Sequence, residues 1–145
     1  MKTTLQIILV GLTLALGAIL AIKALAQDRV ETTPRRIDFS APLISTDQKP
    51  LTNGDAKNPE TITLRVVAIM AMETPTEADR NESAEAKYRR GDLEWRIRQS
   101  KEPIALTASE IALLVSRVGQ CPGLTPIAVR IALPMLDPAI VERWK

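Results

Sequence analysis

The sequence predicts a mainly α-helical domain over residues 37–145, with a short β-hairpin at its start and an apolar signal or anchor helix ahead of it. Three observations carry this. Leu5 to Ile22 has no charged residue, and only Gln6, Thr13 and two glycines interrupt its apolar side chains. Two later segments start on helix-capping residues and continue with apolar residues at helical spacing. Between these regions, Ile37-Asp38-Phe39-Ser40 alternates apolar and polar, and Leu43-Ile44 follows Pro42, as in a short edge-type strand.

The N-terminal segment, residues 1–26, has two readings. Met1-Lys2-Thr3-Thr4 is a weakly basic start, and Ala24-Leu25-Ala26 puts a small side chain at each position that a signal peptidase grips. Cleavage after Ala26 leaves a chain beginning at Gln27, exported to the periplasm or the extracellular space. The other reading keeps Leu5–Ile22 as a single-pass anchor. Such a run is just long enough to span a bilayer core, and Lys23 can snorkel to the interface. Arg29, Arg35 and Arg36 then weakly favour a cytoplasmic C-terminal side.

Residues 27–36 are polar, contain Pro34 and lack an apolar period, so they are expected to be a linker. Thr46 to Pro50 and residues 52–60 carry turn chemistry, strongest at Asn53-Gly54. Thr61–Glu73 is ambiguous. Ile62 and Leu64 alternate as in a strand, whereas Leu64, Val67, Ala68, Met70 and Ala71 suit a helix face; length and composition favour the helix. Residues 84–90 and 92–99 are helical in composition, with Ser83 a possible N-cap and Gly91 a possible kink or break. Tyr88 and Trp95, with Leu93 and Ile97, offer an imperfect apolar stripe.

Pro103 to Leu106 is a short apolar stretch. Thr107-Ala108-Ser109-Glu110 is a capping box, and Ile111, Leu114, Val115 and Val118 follow it at helical spacing. Gly119 is placed to end that helix. A loop over residues 120–123 precedes Thr125-Pro126, a cap followed by proline at the first helical position. Ile127, Ile131 and Met135 share one face of the helix so started, which Pro134 kinks or finishes. Asp137-Pro138 begins a last turn through Trp144.

Composition excludes several chemistries. Of 145 residues, 46% are hydrophobic and 25% charged, which argues against wholesale disorder. Without residues 1–26 the chain has 17 basic and 17 acidic residues, so no overall field draws it to nucleic acid. Histidine is absent and Cys121 is the single cysteine. No internal disulfide, multi-cysteine metal set or histidine-based triad can form. No cofactor, no metal and no catalytic residue is expected.

Four features remain as candidates. Cys121 is either a reactive thiol or a small, partly buried side chain; the lack of any histidine to activate it favours the second. Glu82, Glu85, Asp92 and Glu94 offer paired carboxylates, but pairs such as Glu85–Arg89 read better as a solvated helix face. Lys87, Arg89, Arg90, Arg96 and Arg98 surround Tyr88 and Trp95, yet the intervening acids dilute a nucleic-acid surface. The favoured arrangement packs Tyr88 or Trp95 on the capped helix with the basic residues in solvent. Tyr88, Arg89 and Trp95 are the candidate surface for a protein partner. Asn81-Glu82-Ser83 matches a glycosylation sequon that arises often by chance.

Ile37-Asp38-Phe39, Lys49-Pro50-Leu51, Thr61-Ile62-Thr63-Leu64, the run Leu106 to Leu114, Val118-Gly119 and Leu136-Asp137-Pro138-Ala139 together resemble a group of short uncharacterised bacteriophage and prophage proteins. The resemblance covers about residues 37–139. It departs where the group has glycine before Lys-Pro and this chain has Gln48. It departs again over Cys121 to Ile127, where the group has a Gly-Pro-Leu-Val-Val-Gly-like run. The apolar N-terminus is also unusual for the group. It implies no activity to carry over. The expected function is a non-enzymatic interaction protein, exported or membrane-tethered. A membrane-anchored accessory subunit of a larger assembly and a small carboxylate-dependent enzyme using Glu85, Asp92 and Glu94 are the alternatives.

Overall fold

The computed structural model describes residues 34–55 and 57–143. The apolar run Leu5–Ile22, the Ala24 and Ala26 pair, residues 27–33 and Trp144 lie outside the described residues. Strand β1 (Arg35–Ile37) pairs antiparallel with β2 (Ile104–Leu106), Arg36 opposite Ala105. The antiparallel pair expected near the domain's start is thus present, and its second strand arrives from 67 residues downstream. Two expectations are corrected here. The strand begins at Arg35, inside the expected linker, and it stops at Ile37, because Asp38 accepts from the Ser40 N–H and hydroxyl and turns the chain.

Between β1 and the first helix the chain reverses twice. Leu51 N–H donates to Leu43 O and Ile62 N–H to Leu51 O, both at 2.8 Å. Three short extended segments are thereby stitched together, which explains the strand-like alternation around Ile62. The first reversal places Gln48 at φ 63°, a left-handed conformation. The second uses Gly54 at φ 80°, beside Asn53, whose Oδ1 accepts from the Asp55 and Glu60 N–H groups.

Helix α1 (Leu64–Glu73) starts at Thr63, whose hydroxyl accepts from the Val66 N–H. It buries Leu64, Val67, Ala68, Ala71 and Met72, the i, i+3, i+4, i+7, i+8 set of one helical face. A 3₁₀ turn (Glu77–Asn81) follows. Helix α2 (Ala84–Gln99) starts at Ser83, as expected, with Ser83 Oγ accepting from Ala86 N–H at 3.1 Å. Gly91 does not break it: one helix runs through that position. Its buried face is Leu93 and Ile97, laid against α1.

Helix α3 (Ala108–Gln120) forms at the capping box. Glu110 N–H donates to Thr107 Oγ1, and Thr107 N–H to Glu110 Oε2 at 2.7 Å. It buries Leu114 and Val118 against α1 and the next helix. Gly119 does not end it; the last helical residue is Gln120 and no residue there turns left-handed. Helix α4 (Pro126–Leu136) has Thr125 as its cap and Pro126 at its start. Of the face shared by Ile127, Ile131 and Met135, the last two pack partly buried at the margin of the core, and Ile127 is exposed. Ala128, Ala132, Leu133 and Leu136 are the buried residues of this helix. The helix continues two residues past Pro134; with only the last turn left, little hydrogen bonding is lost. Helix α5 (Ala139–Arg143) closes the described chain.

Among the described residues, α-helices end on extended residues, with no left-handed glycine cap. Arginines take over the free carbonyls. Arg35 donates to Leu136 O at the end of α4, and Arg65 to Ser100 O just past α2. A guanidinium suits this place because it offers several donors and its charge opposes the negative end of the helix.

Candidate functional site

The end of α1 shows what positions the surrounding surface. Arg117, on the inner side of α3, is 5% exposed and engages every donor it has. Nε donates to Ala71 O; Nη1 donates to Thr76 Oγ1 and Asp79 Oδ1; Nη2 donates to Met72 O and Thr74 O. Asp79 in turn accepts the Thr76 N–H at 2.6 Å. That backbone bond, with the Arg117 guanidinium beside it, holds the Asp79 carboxyl well below its usual value, at about 2. Arg90 of α2 completes the group. It donates to Met72 O at 2.7 Å, grips Glu82 with two nitrogens and stands 3.7 Å from Asp79. Two arginines thus tie α2 and α3 to the last turn of α1. Every group in this cluster is occupied by another, so it is a structural joint.

The joint fixes the roll of α2 and therefore what α2 shows to solvent. With Leu93 and Ile97 inside, Tyr88 and Trp95 lie on the opposite side and are 76% and 62% exposed. This overturns the expected packing of Tyr88 or Trp95 on the capped helix. The reason is competition between two apolar stripes on one helix. The branched pair Leu93 and Ile97 fills the space beside α1, leaving the larger rings outside. Seven residues apart, the two rings sit about 10 Å from one another along the helix axis. Asp92 and Gln99 are exposed on the same line.

Lys87, Arg89 and Arg98 are exposed, as expected, while Arg90 and Arg96 are partly buried. Arg89 pairs with Glu85, Arg98 with Glu94 and Glu73, and Arg96 with Glu110 and, at 3.9 Å, with Asp92. The pair anticipated between Glu85 and Arg89 is present. These pairs also place Glu85, Asp92 and Glu94 each beside an arginine one turn on. Burial pushes the Glu110 carboxyl up, but the Thr107 N–H and Arg96 outweigh it and leave Glu110 below its ordinary value.

A groove of about 390 Å³ runs between α2 and the start of α3, with Tyr88, Arg89, Asp92, Ser109 and Leu113 among its walls. Tyr88 and Arg89 therefore belong to both the exposed face and this groove, whereas Trp95 extends the face beyond it. A second groove, about 580 Å³, lies over α1 at Val66, Ile69, Met70 and Pro75. Cys121 is buried at the end of α3.

Sequence reasoning missed Arg117, Asp79 and Arg35. The one local signal was Arg117's place at the edge of the stripe formed by Leu114 and Val118. Among the described residues no three His, Cys, Asp or Glu side chains gather, and no helix is long and apolar enough to cross a membrane. Comparison with family models, curated proteins and solved structures finds no match.

Proposed function

We propose that this chain is a non-enzymatic interaction protein of phage descent, which engages a protein partner through the exposed face of α2. Its N-terminal segment delivers it to or through a membrane, as a cleaved signal or a retained apolar helix over Leu5–Ile22. The observation that carries the reading is the exposure of Tyr88 and Trp95. The chain has four aromatic residues; Phe39 is buried in a mostly aliphatic core, whereas Tyr88 and Trp95 stand on the solvent side of one helix. Large amphipathic rings of this kind supply most of the energy at protein interfaces and contribute little to a fold that leaves them outside. Arg89 adds a charged group at the edge of the face, and the groove beside Tyr88 can admit a partner's side chain.

A second reading keeps the apolar run as a tether and makes the domain an accessory subunit of a membrane assembly; the position of Lys23 at the end of the run favours it. The carboxylate-enzyme reading has less support, because Glu85, Asp92 and Glu94 are each matched by an arginine.

The test is photo-crosslinking in the native host. A photoreactive residue at position 95 of the full chain is expected to give one discrete protein adduct, and the same residue at exposed Glu77 none. No adduct at 95, or equal adducts at both positions, overturns the reading. Intact mass in separated membrane and soluble fractions decides between the two modes of delivery: a chain starting at Gln27 is an exported one, and full length in the membrane is a tether.

A further inference from the structure

The chain reversal at Asn53-Gly54 assembles the groups of an amide-displacement reaction. The Asn53 backbone is anchored: its N–H donates to Glu60 O at 3.0 Å, and Thr52 pairs with Thr61. Its side-chain carbonyl oxygen, Oδ1, accepts from two backbone N–H groups, Asp55 at 3.1 Å and Glu60 at 3.2 Å. The side-chain nitrogen, Nδ2, and the Gly54 N–H make no hydrogen bond among the described residues, and both residues are exposed. Nothing lies within 4 Å of where a Cβ on Gly54 would stand, so its nitrogen is uncrowded. A nucleophile, a polarised carbonyl and an unheld leaving group thus sit on two adjacent residues.

We propose that Asn53 is a self-modification site, at which the turn promotes attack of the Gly54 nitrogen on Asn53 Cγ. The Gly54 N–H gives its proton to water, the N–Cγ bond forms, and negative charge develops on Oδ1. The Asp55 and Glu60 N–H groups already point at that oxygen, as the donors of an oxyanion hole do. The Cγ–Nδ2 bond then breaks. Ammonia leaves with a proton returned by water, and a five-membered succinimide remains. Water opens either carbonyl of the ring, giving aspartate or isoaspartate; water is the only co-reactant and no oxidation occurs. The other two asparagines lack this chemistry. Asn58 precedes Pro59, whose nitrogen carries no hydrogen, and the Glu82 N–H after Asn81 donates to Asp79 O. Conversion adds a negative charge to a turn that already carries Asp55 and Glu60. As isoaspartate it also lengthens the backbone and shifts the register between Thr52 and Thr61.

The experiment incubates the full-length chain in non-ionic detergent at neutral pH, folded and in guanidinium chloride, beside a capped synthetic peptide of residues 50–57. Proteolysis and mass spectrometry locate the conversion, and an isoaspartyl methyltransferase counts the isoaspartate. The folded chain is expected to convert at Asn53 about tenfold faster than the peptide or the unfolded chain; the gain is smaller than inside an enzyme because the turn is open to water. Glu60→Pro removes one N–H donor without touching the reacting atoms and is expected to slow the folded chain severalfold. A folded wild type that converts no faster than the peptide overturns the proposal, whether or not the proline variant folds. So does conversion that concentrates at Asn81, or an unchanged rate in Glu60→Pro with a native circular dichroism spectrum.

Discussion

Arg117 Nη1 donates to Asp79 Oδ1 at 2.6 Å across 38 residues of chain. This bond joins the inside of α3 to the 3₁₀ turn after α1, and the other donors of the same guanidinium hold the last carbonyls of α1. Removing the side chain would leave a carboxylate and several buried carbonyls without their partner. Arg117→Leu is therefore expected to cost about 3–5 kcal/mol in urea unfolding. Arg117→Lys keeps the charge but has too few donors for the same set of acceptors, so an intermediate loss is expected. A loss below about 1 kcal/mol for the leucine variant would show that the joint contributes little.

The same carboxylate sets an acid limit on stability. Asp79 titrates at about 2 in the folded chain and near 3.8 when free. The unfolded chain therefore takes up the proton first as pH falls. The contribution is complete above pH 4–5 and is lost as pH drops towards 2, with a size of about 1–2 kcal/mol. Unfolding midpoints measured from pH 6 to 2 are expected to fall more steeply in the wild type than in Asp79→Asn. Parallel curves would show that Asp79 is not the group responsible.

Two backbone positions are expected to gain from substitution. Gly91 lies in the exposed interior of α2 with open space around it, so Gly91→Ala is expected to stabilise by about 0.5–1 kcal/mol. Gln48 occupies a left-handed conformation that costs a side-chain-bearing residue about 1 kcal/mol, so Gln48→Gly is expected to stabilise by a similar amount. Thermal unfolding measures both. A loss of stability at Gln48→Gly would mean that the glutamine side chain does more for the turn than the strain costs.

What could be read in the sequence was local. The Thr107–Glu110 box, the Ser83 cap and Thr125-Pro126 each need only three or four neighbouring residues, and each starts a helix where expected. Two helix ends, Glu73 and Gln99, fall where expected, but what holds the ends could not be read. Their carbonyls are held by Arg35, Arg65 and Arg117 from 35 to 101 residues away, and nothing nearby in sequence marks such an arginine. The pairing of Arg36 with Ala105 is hidden for the same reason. The candidate surface was half legible. Tyr88, Arg89 and Trp95 were identifiable as a group, but a helix with apolar residues on two sides does not tell which side faces the core. That was decided by α1, against which Leu93 and Ile97 pack.

The central claim is that Tyr88 and Trp95 serve contact with a partner and not the fold. The measurement that tests it most directly pairs two readouts on Tyr88→Ala/Trp95→Ala: the unfolding midpoint, and the yield of the adduct formed by a photoreactive residue at Gln99 on the same face. The account predicts an unchanged stability, within about 0.5 kcal/mol as for surface substitutions generally, together with loss of the adduct. A clear drop in stability, or an adduct formed as well as with both rings in place, would contradict it.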